Sequence, residues 1–128
     1  MYQKIILIGN LGKDPEMHFN PDGKAITGFN VATSRKYRDT TETTWFRVSV
    51  FGQQAESCAQ YLKKGSRVLV EGRLSPDPKN GNPKVFQRKD GSWGSSYEVY
   101  ADTVRFLSSR SEDSTAEPAP SEDDDIPF

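Results

Sequence analysis

The apolar pattern of this chain changes period at one place. Between residues 53 and 65 (QQAESCAQYLKKG), Ala55, Cys58, Ala59 and Leu62 fall at i, i+3, i+4 and i+7, which is one stripe of a helix. Lys63 and Lys64 fill its last turn and Gly65 is the expected C-cap. The other apolar segments are short and rich in β-branched and aromatic residues. They are 2–12 (YQKIILIGNLG), 25–35 (AITGFNVATSR), 43–52 (TTWFRVSVFG), 66–74 (SRVLVEGRL) and 95–107 (SSYEVYADTVRFL), and each reads as a strand. Three strands, one helix and two strands fit an all-β fold: a small closed five-stranded antiparallel barrel with the helix between strands three and four. That is the OB-fold layout.

The connections carry turn chemistry. Gly9 and Gly12 point to a bulge or sharp bend in the first strand. Residues 13–24 read as loop, closed by Asn20-Pro21-Asp22-Gly23, and 36–43 as a polar loop. Residues 75–84 hold three prolines and an Asn-Gly, and so leave the regular sheet. Asp90-Gly91 is a hairpin turn signal. In the last strand, Tyr97, Val99, Ala101 and Thr103 share one face while Val104 and Phe106 lie on the other, so a bulge or an interface is needed there.

The 128 residues make one domain over 1–107. Ser, Glu, Asp, Pro and Ala dominate 108–128, a disordered tail by composition. No apolar run approaches a membrane span and no signal-peptide pattern is present, so the expected compartment is cytoplasmic. One cysteine, Cys58, and one histidine, His18, exclude an internal disulfide and a His/Cys metal cluster. Cys58 is expected to be a small buried side chain. No general base sits beside paired carboxylates, and no phosphate-binding glycine loop joins a strand to a helix. The reading is non-enzymatic, with no cofactor and no metal.

The net charge of −1 hides a division. Residues 1–107 carry 16 Lys and Arg against 11 Asp and Glu, a net of +5, whereas 108–128 carry Arg110 against seven acids, a net of −6. A basic body with an acidic tail suits a nucleic-acid-binding module with an interaction tail.

The strand 43–52 gives that suggestion a location. Phe46, Val48 and Val50 make one face, an ordinary core set; Trp45, Arg47, Ser49 and Phe51 make the other. Aromatics interleaved with cations suit an unpaired nucleic-acid strand, because bases stack on the rings while Arg and Lys hold the phosphates. Every base has a π-face, so such binding is independent of sequence. Tyr37 lies among Arg35, Lys36 and Arg38. Phe86 and Trp93 lie near Lys84, Arg88 and Lys89, and Lys63 and Lys64 add charge after the helix. Other roles stand beside these: a subunit interface for Trp45 and Phe51, a loop anchor for Phe86 or Trp93, and solvation and capping of the helix by Lys63 and Lys64.

Three segments together resemble the bacterial single-stranded DNA-binding protein (SSB) family. They are ILIGNLGKDPE (6–16), TTWFRVSVFG followed by AESCAQYLKKGSRVLVEGRL, and DDDIPF (123–128). The resemblance implies an OB-fold, usually a homotetramer, on which single-stranded DNA is wrapped during replication, recombination and repair. It implies stacking at Tyr37, Trp45, Phe51 and Phe86; the family commonly has Trp where this chain has Tyr37 and Phe86. It also implies that the tip docks onto replication and repair enzymes. The chemistry of the tip agrees. Phe128 offers a ring and a carboxylate, preceded by Asp123, Asp124, Asp125, Ile126 and Pro127, so a partner would need an apolar pocket with a basic rim. A related OB-fold binder working on RNA or in primosome assembly, or a purely structural interaction module whose aromatic face is an oligomer interface, are the other readings.

Overall fold

The computed structural model describes residues 1–107; the tail expected over 108–128 and its tip lie outside the described residues. The elements are β1 (Ile5–Leu11), β2 (Glu16–Phe19), β3 (Ala25–Tyr37), β4 (Thr40–Phe51), α1 (Gln53–Tyr61), β5 (Arg67–Leu74), β6 (Lys84–Gln87) and β7 (Trp93–Phe106). Five of the strands close into a barrel in the cyclic order β1-β5-β7-β4-β3, with β3 returning to β1 through Asn10↔Ala32 and Leu11↔Val31. Four seams are antiparallel and the fifth is parallel, Phe46↔Tyr97 through Ser49↔Tyr100 between β4 and β7. The barrel is therefore not antiparallel throughout. In a ring with an odd number of strands, directions cannot alternate all the way round, so at least one seam must be parallel.

The other two strands are attachments. β2 pairs with the start of β3, where the sequence suggested loop, and its four residues are all exposed. β6 pairs with the start of β7 around the expected turn; Gly91 has φ 94° and donates its N–H to the Arg88 carbonyl at 2.9 Å. Residues 36–43 are no loop either. β3 and β4 run on as a two-stranded ribbon to Tyr37↔Thr40, with only Arg38 and Asp39 at the turn. Four threonines (Thr40, Thr41, Thr43 and Thr44) favour extended backbone there although neither face is buried.

Valines fill the interior. Val31, Val48, Val50, Val68 and Val70 are completely buried, joined by Leu7, Leu11, Phe29 and Val99. Helix α1 adds Ala55, Cys58 and Leu62 to the same cluster, and buried Thr27 donates its hydroxyl to the Ala55 carbonyl at 2.6 Å. The burial expected for Cys58 is present, and it pushes the thiol up to about 11. The helix ends earlier than its composition suggested. Leu62 is drawn into the core with extended backbone, so Lys63 and Lys64 follow the helix and Gly65 does not cap it.

The bulge required by the last strand is at Asp102. Thr103 pairs with Glu71 and Ala101 with Gly72, leaving Asp102 as the extra residue. Val99, Ala101 and Val104 can then all serve the core. Gln54 of α1 holds the bulge with both ends of its amide, donating to the Asp102 carbonyl at 2.9 Å and accepting from the Val104 N–H at 2.9 Å. Glycine does something different in β1, which pairs without a bulge from Ile5 to Asn10. Gly9 marks the place where β1 crosses β3, and a Cβ there would strike the Ala32 carbonyl.

Candidate nucleic-acid interface

β4 splits its side chains as its alternation dictates. Val48 and Val50 are buried and Phe46 is half-buried, while Trp45 is 52% and Phe51 41% exposed on the outer face, with Arg47 between them. Six residues of strand separate the two rings by roughly 20 Å. Across the β3 seam, Ala32 stands beside Trp45, Asn30 beside Arg47 and Gly28 beside Ser49. Ile26 stands beside Phe51, so the small neighbours are Gly28 and Ala32. Among the described residues Arg47 forms no ion pair, although Glu98 stands beside it across the β4–β7 seam.

Trp45 is held from the side. A Cβ on Gly12 would sit 2.5 Å from Trp45 Cζ3 and 2.6 Å from Cη2, so the indole occupies the space that a side chain at Gly12 would fill. The Lys63–Gly65 turn packs on the same stretch of chain: Gly65 N–H donates to the Leu11 carbonyl at 2.9 Å and Lys64 N–H to Asp14 Oδ1 at 2.8 Å. Lys63 and Lys64 are thus exposed beside the segment that supports Trp45.

Tyr37 stands near the end of the β3–β4 ribbon. Arg38 Cζ lies 5.2 Å and Arg35 Cζ 5.9 Å from its ring centroid. Arg38 occupies the turn with φ 57°. By alternation Tyr37, Arg35 and Phe46 share one face of the ribbon, and Trp45 and Lys36 share the other. Arg35 also reaches Glu42 at 4.0 Å, an exposed pair that contributes little.

The β6–β7 hairpin separates its two aromatics. Phe86 lies opposite Gly94, on the face that continues through Glu98 and Tyr100. Trp93 lies on the alternate face, in series with Tyr97, whose ring is 5.6 Å from that of Phe46. Arg88 is a structural member of the hairpin. Its Nη1 donates to the Trp93 carbonyl at 2.7 Å, and its Cζ lies 5.5 Å from the Phe86 centroid. Lys84 donates to Glu98 Oε1 at 3.2 Å and to Ser75 Oγ at 3.1 Å, which offsets part of its charge. Lys89 is exposed in the turn.

The model of the Single-strand binding protein family matches residues 2–107. The chain belongs to this family. Two proteins named single-stranded DNA-binding protein, from Neisseria meningitidis serogroup A / serotype 4A and from serogroup B, are each 37% identical to it over 120 residues. The match takes in 90% of this chain and 65% of each relative, so the chain spans about two thirds of the length of the relatives it matches.

Sequence reasoning passed over two residues of this family member. Tyr100 stands beside Ser49 across the parallel seam, its ring 5.8 Å from that of Phe51 in an edge-on arrangement. Arg73 of β5 pairs with Tyr100 and places its Cζ 5.3 Å from that ring's centroid. The signal for Tyr100 was available, since it alternates with buried Val99 as Phe51 does with Val50. Among the described residues no group of His, Cys, Asp and Glu could hold a metal ion, and no helix is long and apolar enough to cross a membrane.

Proposed function

We propose that this chain binds single-stranded DNA without regard to sequence, protects it, and acts without catalysing a reaction. The observation that carries the reading is the outer face of β4, where two half-exposed rings flank an arginine that forms no ion pair among the described residues. An unpaired strand offers both partners such a face needs, free base faces and phosphates; a duplex hides the first. In this reading Tyr37, Trp45, Phe51 and Phe86 stack bases, with Trp93 on the second face of the hairpin. Arg35, Lys36, Arg38, Arg47, Lys63, Lys64, Lys84 and Arg88 supply charge toward phosphates. The printed names of the Neisseria relatives point the same way.

A second surface supports self-association and relieves Trp45 and Phe51 of that duty. Ile6 is 59% and Ile8 49% exposed on the outside of β1. Along Ile5–Gly9 the strand pairs with β5 on one edge only, β3 joining it at Asn10 and Leu11. A second copy laid against this edge would extend the sheet and cover both isoleucines. We take the assembly to be a homotetramer. The Asp123-Asp124-Asp125-Ile126-Pro127-Phe128 segment would recruit replication, recombination and repair proteins to the coated strand.

Titration of labelled oligo-dT against an equally long duplex, at several salt concentrations, tests the strand binding. Affinity for the single strand is expected to fall steadily as salt rises, because phosphate contacts release counterions. Equal or tighter duplex binding refutes the reading. Light scattering with and without oligo-dT reads the assembly, and deletion of Phe128 should abolish partner pull-down while leaving oligo-dT affinity intact.

A further inference from the structure

Tyr100 is the meeting point of three side chains from different strands. The Phe51 ring meets it edge-on, Arg73 Cζ lies 5.3 Å from its centroid, and Lys84 Nζ lies 5.9 Å from it. The two cations differ in what else they do. Lys84 is committed to Glu98 and Ser75. Arg73 is exposed and, among the described residues, forms no ion pair. We propose that Arg73 is a phosphate ligand for the nucleotide stacked on Phe51, and that Tyr100 is its positioning residue. The inference rests on the strand-binding reading above and adds to it a place where the strand crosses from β4 over β7 to β5.

The chemistry follows from the geometry. A guanidinium presents a planar fork of donors that matches two phosphate oxygens. Laid on an aromatic ring, it has already lost much of the side-chain freedom that phosphate binding would otherwise remove. Tyr100 is itself half-buried and fixed by its strand, and it borders the Phe51 ring. Base platform and phosphate fork therefore lie on either side of one ring, the separation of roles that a single nucleotide requires.

The test uses the full chain and a short oligo-dT. Arg73→Gln keeps the stem and removes the charge. Its salt dependence should be shallower by one phosphate contact, so over a tenfold rise in salt it should lose about fivefold less affinity than the parent. Arg73→Lys should keep the slope. Tyr100→Leu should weaken binding about two- to fivefold and Tyr100→Phe should not. Combined with Arg73→Gln, Tyr100→Leu should add nothing, a result that simple loss of structure would not give; circular dichroism checks the fold of each variant. If the parent binds oligo-dT and Arg73→Gln keeps both parental affinity and slope, the phosphate role is refuted. An effect of Tyr100→Leu that adds in full to that of Arg73→Gln refutes the positioning role. A parent that does not bind oligo-dT overturns the strand-binding reading and this inference together.

Discussion

Trp45 and Gly12 form a pair whose coupling tests the stacking reading directly. Gly12→Ala adds one methyl group and no charge. That methyl would lie 2.5 Å from an indole carbon, whereas carbon atoms rest at about 3.5–4.0 Å, so the ring must retreat by roughly 1 Å. The indole is half-exposed and free to swing toward solvent, so the cost to folding should stay below the roughly 1–3 kcal/mol of an overpacked interior. Binding is the sensitive quantity. In single-strand-binding barrels of this kind a stacked base is worth about 1–3 kcal/mol, so Trp45→Ala should weaken oligo-dT binding by about 5- to 150-fold. Gly12→Ala moves the platform without removing it and should lose part of that. The double variant decides the mechanism: once Trp45 is Ala, the Gly12 methyl meets nothing and should change affinity no further. Fluorescence anisotropy of labelled oligo-dT measures all four proteins. Parental affinity in Trp45→Ala refutes base stacking there, and a Gly12→Ala effect of equal size in both backgrounds refutes the steric coupling.

Other parts of the molecule give shorter tests. Phe51→Ala should add to Trp45→Ala in ΔΔG of binding, because the rings are roughly 20 Å apart along β4; strong non-additivity would show that the two positions are not independent platforms. Gln54→Ala removes both hydrogen bonds that hold the Asp102 bulge, and should cost about 1–3 kcal/mol in thermal or denaturant unfolding; an unchanged midpoint would show that the bulge holds itself. The Cys58 thiol, buried and with its pKa pushed up to about 11, should react with a disulfide reagent only as fast as the domain opens; rapid labelling of the native protein would contradict the packing of α1. Hydrogen bonds from Ser92 hold the Asp90 carboxyl below the usual aspartate range. A lowered folded-state pKa stabilises above the unfolded value and is lost as pH falls through the folded one. The Ser92 amide chemical shift should therefore titrate with a midpoint below that of an ordinary aspartate; a midpoint at or above the ordinary one would refute the hydrogen-bond reading.

Legibility followed burial. The five barrel strands, the helix and the Asp102 bulge all touch the core, so their alternation was present in the sequence, and so was the outward pair Trp45 and Phe51. β2 buries no side chain and left no period to read. The threonine-rich ribbon beyond Thr33 and Thr44 has the same difficulty, since with both faces in solvent only β-propensity marks it. The Lys63-Lys64-Gly65 stop signal misplaced the helix end, because the backbone turns extended already at Leu62 while its side chain stays in the core. The side on which Phe86 points depends on the register of β6 against β7, a pairing of two exposed segments that no local pattern encodes, whereas that of Trp93 follows from its place in the alternation that buries Val99, once β7 is known to begin there.

The parallel seam links this topology to the binding surface. Strand order sets which strands border the aromatic face of β4, and a five-membered ring needs one parallel seam. Here it falls between β4 and β7. One edge of β4 therefore adjoins β3, which offers Gly28, Asn30 and Ala32, and the other adjoins β7, which offers Glu98 and Tyr100. β7 in turn carries β6 with Phe86 and Lys84 at its start, and pairs with β5 and Arg73 beyond. Side chains more than 40 residues apart in sequence, such as Phe51 and Tyr100, thus become neighbours on one surface, with Gly28, Asn30 and Ala32 on one flank of β4 and rings and charged groups on the other. A strand lying there would meet bases' partners on β4 and phosphate partners across the seam. The two flanks are unlike because the strand order sets β3 on one edge of β4 and β7 on the other.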